Sequence, residues 1–151
     1  GQQEILPLIL VLRQLIHIPR TSIYIEEPEA HLFPVSQKYI TELIALVFNK
    51  TKNQILITTH SPYILTAFNN LIYAGQLEDT LSKNKSKSLR LNKIVPEVLR
   101  LKVSDISAYT LDEKGNIRSI INSETGLIDG NIIDSVSDEL GSSFDKLLDL
   151  N

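Results

Sequence analysis

Two short apolar segments of this sequence each end in side chains that can do chemistry. Residues 23–25 (Ile-Tyr-Ile) run into Glu26 and Glu27, and residues 54–59 run into His60. Two carboxylates with divided roles suit nucleotide hydrolysis, in which one supports Mg²⁺ through water and the other positions the attacking water. An imidazole beside them can hydrogen-bond a phosphate. The pattern predicts a hydrolytic site if the two segments end side by side.

The elements that must bring these residues together are two strands. Residues 22–26 and 54–59 are rich in apolar and β-branched residues, and apolar residues at helical spacing fill 34–50 between them. Strand, helix and strand in this order predict a parallel pair with a right-handed crossover. Open α/β sheets bind ligands at the carboxyl ends of their strands, so Glu27 and His60 are expected at one rim. The continuous apolar runs also predict a sheet covered on both faces.

The remaining segments are assigned from spacing and composition. The predicted elements are helices at 3–18, 61–69 and 131–150, a short third strand at 70–74, a polar loop at 76–93 and a β-hairpin with arms at 107–111 and 116–121. Ser61 is expected to cap its helix, whose first N–H groups favour an anion. No repeat or domain boundary interrupts the chain, so residues 1–151 are expected to form one domain.

Composition narrows the class of protein. The chain has 151 residues, of which 42% are apolar and 22% charged, as in ordinary globular proteins. A net charge of −3 gives no general attraction to nucleic acid or membranes. The apolar run at 5–12 is too short to span a bilayer, so no membrane partner is expected. The absence of cysteine excludes disulfides and thiolate metal sites, and it agrees with a cytoplasmic protein.

Three motifs in order resemble ATPases related to ABC transporters, SMC proteins and RecF. Residues 1–4 (Gly-Gln-Gln-Glu) resemble the end of the signature motif, residues 23–28 the Walker B strand, and residues 57–60 the switch-histidine strand. The stretches Glu-Pro-Glu-Ala-His-Leu-Phe-Pro and Thr-His-Ser-Pro are most similar to bacterial RecF-like AAA family ATPases, which include the overcoming-lysogenization-defect (OLD) type and other anti-phage ATPases. The resemblance covers residues 1–62. It implies an α/β fold: a three-layer, P-loop NTPase-like lobe with parallel strands flanked by helices, followed here by the C-terminal hairpin and helix.

The resemblance also implies roles for individual residues, with ATP and Mg²⁺ as cofactors. Glu27 is expected to be the catalytic glutamate, Glu26 to support Mg²⁺, and His60 to sense the γ-phosphate. Gly1 and Gln2 are expected to reach the γ-phosphate bound by the opposite protomer of a head-to-head dimer.

The implied activity is Mg²⁺-dependent ATP hydrolysis by an ATP-sandwiched homodimer. Residues 30–33 take the D-loop position, which touches the partner subunit. Such heads drive conformational changes on DNA or on a partner protein, which suggests DNA-related or anti-phage processes.

The sequence departs from the family pattern at several places. Position 26 is Glu where Asp is usual, and its extra methylene changes the reach toward a Mg²⁺-bound water. No Gly is followed by Lys, so the phosphate loop G-x-x-x-x-G-K-[ST] is missing, and so is the Q-loop. The chain begins at Gly1 and holds no Met. We therefore expect the C-terminal lobe of a longer protein whose N-terminal lobe carries Walker A, and we expect this lobe alone to be inactive.

Two other functions remain open at this stage. One is a metal-dependent hydrolase or nuclease, whose candidate ligands are Glu26, Glu27, Glu29, His31 and His60. The other is a non-catalytic interaction module. Residues 76–151 lack the Glu-Gly pair and the Asp-x-Asp of a Toprim nuclease, which favours a family-specific extension over a nuclease. A basic cluster at 83–93 can contact phosphates, although a solvated loop is favoured because no aromatic residue is interleaved.

Overall fold

The structure is a computed structural model that describes residues 2–112 and 114–130. Its elements, in chain order, are α1 (Gln2–Leu15), β1 (Ser22–Glu26), α2 (Pro34–Thr51), β2 (Gln54–Thr58), α3 (Pro62–Leu81), α4 (Lys85–Ile94), two 3₁₀ helices (Glu97–Leu99 and Val103–Asp105), β3 (Tyr109–Leu111) and β4 (Ile117–Ser119). The predicted helix at 131–150 lies outside the described residues. None of the described helices is long and apolar enough to cross a membrane.

The two predicted strands pair in parallel, as the sequence indicated. β1 and β2 are in register from Ser22 opposite Gln54 to Glu26 opposite Thr58. The buried side-chain amide of Asn53 fixes where the pair begins. Its Oδ1 accepts from Thr21 N at 2.9 Å, and its Nδ2 donates to Ile18 O at 2.8 Å. The α/β class and the parallel pair are therefore confirmed.

Helices cover one face of this sheet. Alternate strand residues point to opposite faces, and Ile23 and Ile25 pack into a core with buried residues of α1, α2 and α3. On the other face Tyr24 is 76% exposed and Leu56 is 58% exposed. Within the described residues the predicted cover on both faces is therefore absent. Isoleucine occupies every second position of both strands, and the positions between include polar residues, so the strands are less uniformly apolar than the prediction assumed.

The third helix is longer than predicted, and the predicted strand at 70–74 is wrong. α3 continues through that segment to Leu81, since Leu71, Ile72 and Ala74 are buried as parts of a helix. β-Branched and aromatic residues there suggested a strand, but packing decided otherwise. Gly75 allows the helix to meet the following chain closely, because a Cβ at this position would lie 2.1 Å from Leu101 O.

The segment predicted as a polar loop is mostly helical. α4 begins after Asn84, whose side chain accepts from Lys87 N, and it buries Leu91 against the rest of the fold. The buried Arg100 joins α3 to this region, with its Nη1 at 2.7 Å from Glu78 Oε1 and its Nη2 at 3.2 Å from Asn92 Oδ1. The composition of residues 76–93 suggested a loop because the stabilising partner, Arg100, lies outside that segment.

The predicted hairpin is confirmed, with shorter arms. β3 and β4 pair antiparallel, and Gly115, with a φ of +79°, lies in the turn between them. The segment that follows the hairpin docks on α3. Asn69 Nδ2 donates to Ile128 O and Asn69 Oδ1 accepts from Ile128 N, both at 2.8 Å.

Candidate active site

The carboxyl ends of β1 and β2 bring Glu27 and His60 together. Glu27 N donates to Thr58 O at 2.9 Å, which extends the strand pairing by one residue. The chain then turns sharply, because Glu27 has a φ of +44°. Its Oε1 lies 3.3 Å from His60 Nε2. The predicted meeting of an acidic strand end with an imidazole-bearing strand end is confirmed.

The backbone at Glu27 is strained. Residues other than glycine seldom adopt positive φ, and holding one there costs about 1–3 kcal/mol. Such strain persists where surrounding contacts enforce it and where the resulting side-chain position is used. Here the strained backbone places the carboxylate at the rim that it shares with His60.

Both side chains of the pair face solvent. Glu27 is 53% and His60 87% exposed at the side chain, so water screens their interaction and the pair stabilises the fold little. The contact is an ion pair only while the imidazole is protonated. A carboxylate that can orient water and an imidazole that can donate to a phosphate oxygen are thus both accessible to a ligand.

Glu26 is the residue directly before the sharp turn at Glu27. It is the last residue of β1 and is exposed on the open face of the sheet, the face on which Tyr24 also lies. Its exposed carboxylate is the type of ligand that Mg²⁺ prefers, and this ion needs only one or two carboxylates because it keeps several waters. The role of Glu26 in supporting Mg²⁺ stays a prediction.

The described residues contain no group of three or more His, Asp or Glu side chains that could hold a metal ion by themselves. The five candidate ligands of a metal-dependent hydrolase therefore do not come together as such a site. A Mg²⁺ ion at Glu26 would need phosphate oxygens and water to complete its coordination.

Ser61 acts as a helix cap. It is buried, and its Oγ accepts from Tyr63 N and Ile64 N while donating to Gln37 Oε1. Ser61 N donates to Thr59 Oγ1 at 3.0 Å, and residue 62 is a proline without an N–H. The predicted cap is confirmed, but the donors at residues 61–64 are already used within the protein. Residues 61–64 at the start of α3 therefore have no free N–H group for the anion that was expected to bind there.

The other predicted ligand residues lie at the edge of what is described. Gln2 begins α1, and Gly1 lies outside the described residues. Their role at a partner's nucleotide stays a prediction. The segment that the resemblance assigns to the D-loop includes a tight turn, in which Ala30 N donates to Glu27 O at 2.8 Å and Leu32 N donates to Glu29 O at 2.9 Å.

The structure places three further residues at this rim, Glu29, Thr59 and Gln37, in positions that the sequence did not predict. Glu29 Oε1 accepts from Thr59 Oγ1 at 2.6 Å and from His60 N at 2.9 Å, and Gln37 is buried beneath Ser61. The sequence contained an indication for Gln37, because this polar residue lies three positions, about one helical turn, before the apolar stripe of α2 begins at Ile40. Nothing in the local pattern links Glu29 to Thr59, which lies 30 positions along the chain.

Comparison with known proteins agrees with the class that this rim suggests. A family model described as AAA ATPase domain matches residues 1–65. The matched region includes both strands of the parallel pair and both Glu27 and His60. The match supports an ATPase domain of the AAA type in this part of the chain. No curated protein and no solved structure gives a significant match.

Proposed function

We propose that this chain forms the part of a Mg²⁺-dependent ATPase head that carries the catalytic glutamate and the phosphate-sensing histidine. The observation that carries the proposal is the 3.3 Å approach of Glu27 Oε1 to His60 Nε2 at the carboxyl ends of two parallel strands. Open α/β sheets bind ligands at this place. The match to the AAA ATPase domain over residues 1–65 supports it independently.

Each residue of the rim has a distinct part in the proposed reaction. Glu27 orients the attacking water and accepts its proton as the γ-phosphate of ATP is transferred to that water. His60 donates a hydrogen bond to the γ-phosphate, and Glu26 supports Mg²⁺ through water. Mg²⁺ supplies charge neutralisation on the phosphates when bound.

The intact protein must contribute the groups that hold the triphosphate. No phosphate loop occurs in this sequence, and the exposed Tyr24 and Leu56 leave one sheet face open to a further layer. We propose that an N-terminal lobe with Walker A supplies both the groups that hold the triphosphate and the further layer on the open sheet face. Gly1 and Gln2 would then act across a homodimer that closes on ATP, in a cytoplasmic, RecF-like or OLD-type protein that acts on DNA or on an effector protein in defence.

The decisive experiment is steady-state ATP hydrolysis by the full-length protein and its Glu27→Gln variant. Gln keeps the size of Glu but cannot accept a proton, so we expect turnover to fall about 10²–10⁴-fold, the usual contribution of a general base. ATP-dependent dimerisation, measured by light scattering, should persist. Glu124→Gln, at an exposed position outside the rim, is the matched control.

Undiminished hydrolysis by Glu27→Gln would remove this residue from the catalytic role. Absence of hydrolysis by the unmodified full-length protein, with intact ATP-dependent dimerisation, would favour the non-catalytic interaction module instead.

A further inference from the structure

A hydrogen-bond network joins the loop after β1 to the loop after β2. Glu29 Oε1 accepts from Thr59 Oγ1 at 2.6 Å and from His60 N at 2.9 Å. Thr59 Oγ1 also accepts from Ser61 N at 3.0 Å, and Ser61 Oγ donates to Gln37 Oε1. The network therefore connects both strand ends with the first turn of α2.

The network closes on the loop in which it starts. Gln37 Nε2 donates to Leu32 O at 3.1 Å, and Leu32 N donates to Glu29 O at 2.9 Å. Ala30 N donates to Glu27 O at 2.8 Å within the same loop. The backbone that carries Glu27 is thus bonded to the backbone that carries His60 through neighbouring side chains.

We propose that Glu29 is a positioning residue that holds His60 opposite Glu27. Its carboxylate does not face the rim as those two side chains do: Oε1 is used twice, and Oε2 is buried with no hydrogen-bond partner among the described residues. The His60 side chain is 87% exposed, so apart from its contact with Glu27 the position of the imidazole depends on its own backbone. Glu29 acts on that backbone. Its effect on catalysis rests on the proposed function, but the positioning itself does not.

Kinetics of the full-length protein separate positioning from direct catalysis. Glu29→Ala removes the acceptor, and we expect kcat to fall about tenfold while KM for ATP changes less than about twofold, since small misplacements of reacting groups are costly. Glu29→Gln should keep at least half of the activity, because its amide oxygen accepts the same two bonds. Equal losses in both variants would overturn the proposal, since they would mean that the carboxylate charge itself is required.

A double-mutant cycle tests whether Glu29 acts through His60. In a His60→Ala background, Glu29→Ala should cause no further loss of kcat, because residues that act in series are not additive. Losses that multiply independently would contradict the proposal.

Amide hydrogen exchange of His60 tests the positioning without any nucleotide. The His60 N–H should exchange slowly in the full-length protein and in Glu29→Gln, and at least about tenfold faster in Glu29→Ala. Unchanged exchange in Glu29→Ala would overturn the proposal. If the protein hydrolyses no ATP, the proposed function fails while this measurement still decides the role of Glu29.

A gentler pair of variants carries the test if Glu29→Ala does not fold. Thr59→Val removes the hydroxyl and keeps the shape, and Thr59→Ser restores the hydroxyl. We expect faster His60 exchange and a smaller kcat in the Val variant alone. Equal values in both variants would contradict the proposal.

Discussion

At the scale of single residues, hydrogen bonds decide where the charged groups of this chain lie. Glu27 and Glu29 are two positions apart, yet one is exposed at the rim and the other is turned inward onto Thr59. The sharp turn at Glu27 separates them. Acidic residues that are close in the sequence therefore need not have the same role.

Hydrogen bonds also act on Asp112, which lies in the hairpin turn. Hydrogen bonds from the side chain and backbone of Asn116, with a further bond from Lys114 N and the charge of Arg118, lower the pKa of Asp112 below the usual value for this carboxyl. The ionised form is therefore the form that stabilises the hairpin turn.

We expect this contribution to be complete above the usual carboxyl pKa of about 3.9 and to be lost as the pH falls below it through the lowered pKa of Asp112. The amide shifts of Lys114 and Asn116, followed by NMR as a function of pH, measure this transition. Asp112→Asn should abolish it. A midpoint at or above about 3.9 would contradict the assignment.

At the scale of elements, packing overrode local preference twice. α3 absorbed a segment with strand-like residues, and α4 formed from a segment rich in Lys, Ser and Asn. In both cases residues near 100 in the sequence contact the helix: Leu101 N donates to Leu71 O of α3 at 3.2 Å, and Arg100 Nη2 donates to Asn92 Oδ1 of α4 at 3.2 Å. Contacts with residues 100 and 101 therefore help to stabilise both helices.

Gly75→Ala tests that dependence. Inside an isolated helix this change would stabilise by about 1 kcal/mol. Here the new Cβ would lie 2.1 Å from Leu101 O, so the backbone must move. We expect a net destabilisation of about 1–3 kcal/mol, the usual cost of overpacking, measured as a lower thermal midpoint.

Gly130→Ala is the matched control, because a Cβ there meets no atom of the described residues within 4 Å. Its midpoint should stay close to that of the unmodified protein. An unchanged or raised midpoint in Gly75→Ala would show that the close approach of α3 and Leu101 is not enforced.

At the scale of the whole molecule, the rim that carries Glu27 and His60 is open to solvent in the described structure. Glu27 and His60 face solvent, the sheet is covered on one face, and the donors at the start of α3 are already used. Tight binding of a triphosphate needs preorganised donors around it, as a phosphate loop provides.

Residues 1–151 alone should therefore bind ATP weakly. Isothermal titration calorimetry with Mg²⁺ and ATP should show no tight binding to this chain, whereas the full-length protein should bind. Low-micromolar affinity of the isolated chain would contradict the proposal that the phosphate-binding groups are supplied by another lobe.

Several features followed from the sequence because they depend on local pattern and chain order. Apolar runs separated by one helix predicted the parallel pair, and chain direction alone then placed Glu27 and His60 at one rim. The turn residues before Gly115 predicted the hairpin for the same reason, since turn chemistry acts over a few positions.

Other features were decided only by the tertiary structure, because they arise from contacts between distant residues. The hydrogen bond from Thr59 to Glu29 joins residues 30 positions apart, and the hydrogen bond from Arg100 to Glu78 joins residues 22 positions apart. No periodicity of the sequence predicts either bond. The covered sheet face carries isoleucines, and the open face carries Tyr24 and Leu56 among polar residues. Only the packing of α1, α2 and α3 shows that one of these faces stays uncovered within the described residues. Local pattern specifies which elements form at the rim, and long-range packing specifies how far the helices extend and which donors remain for a ligand.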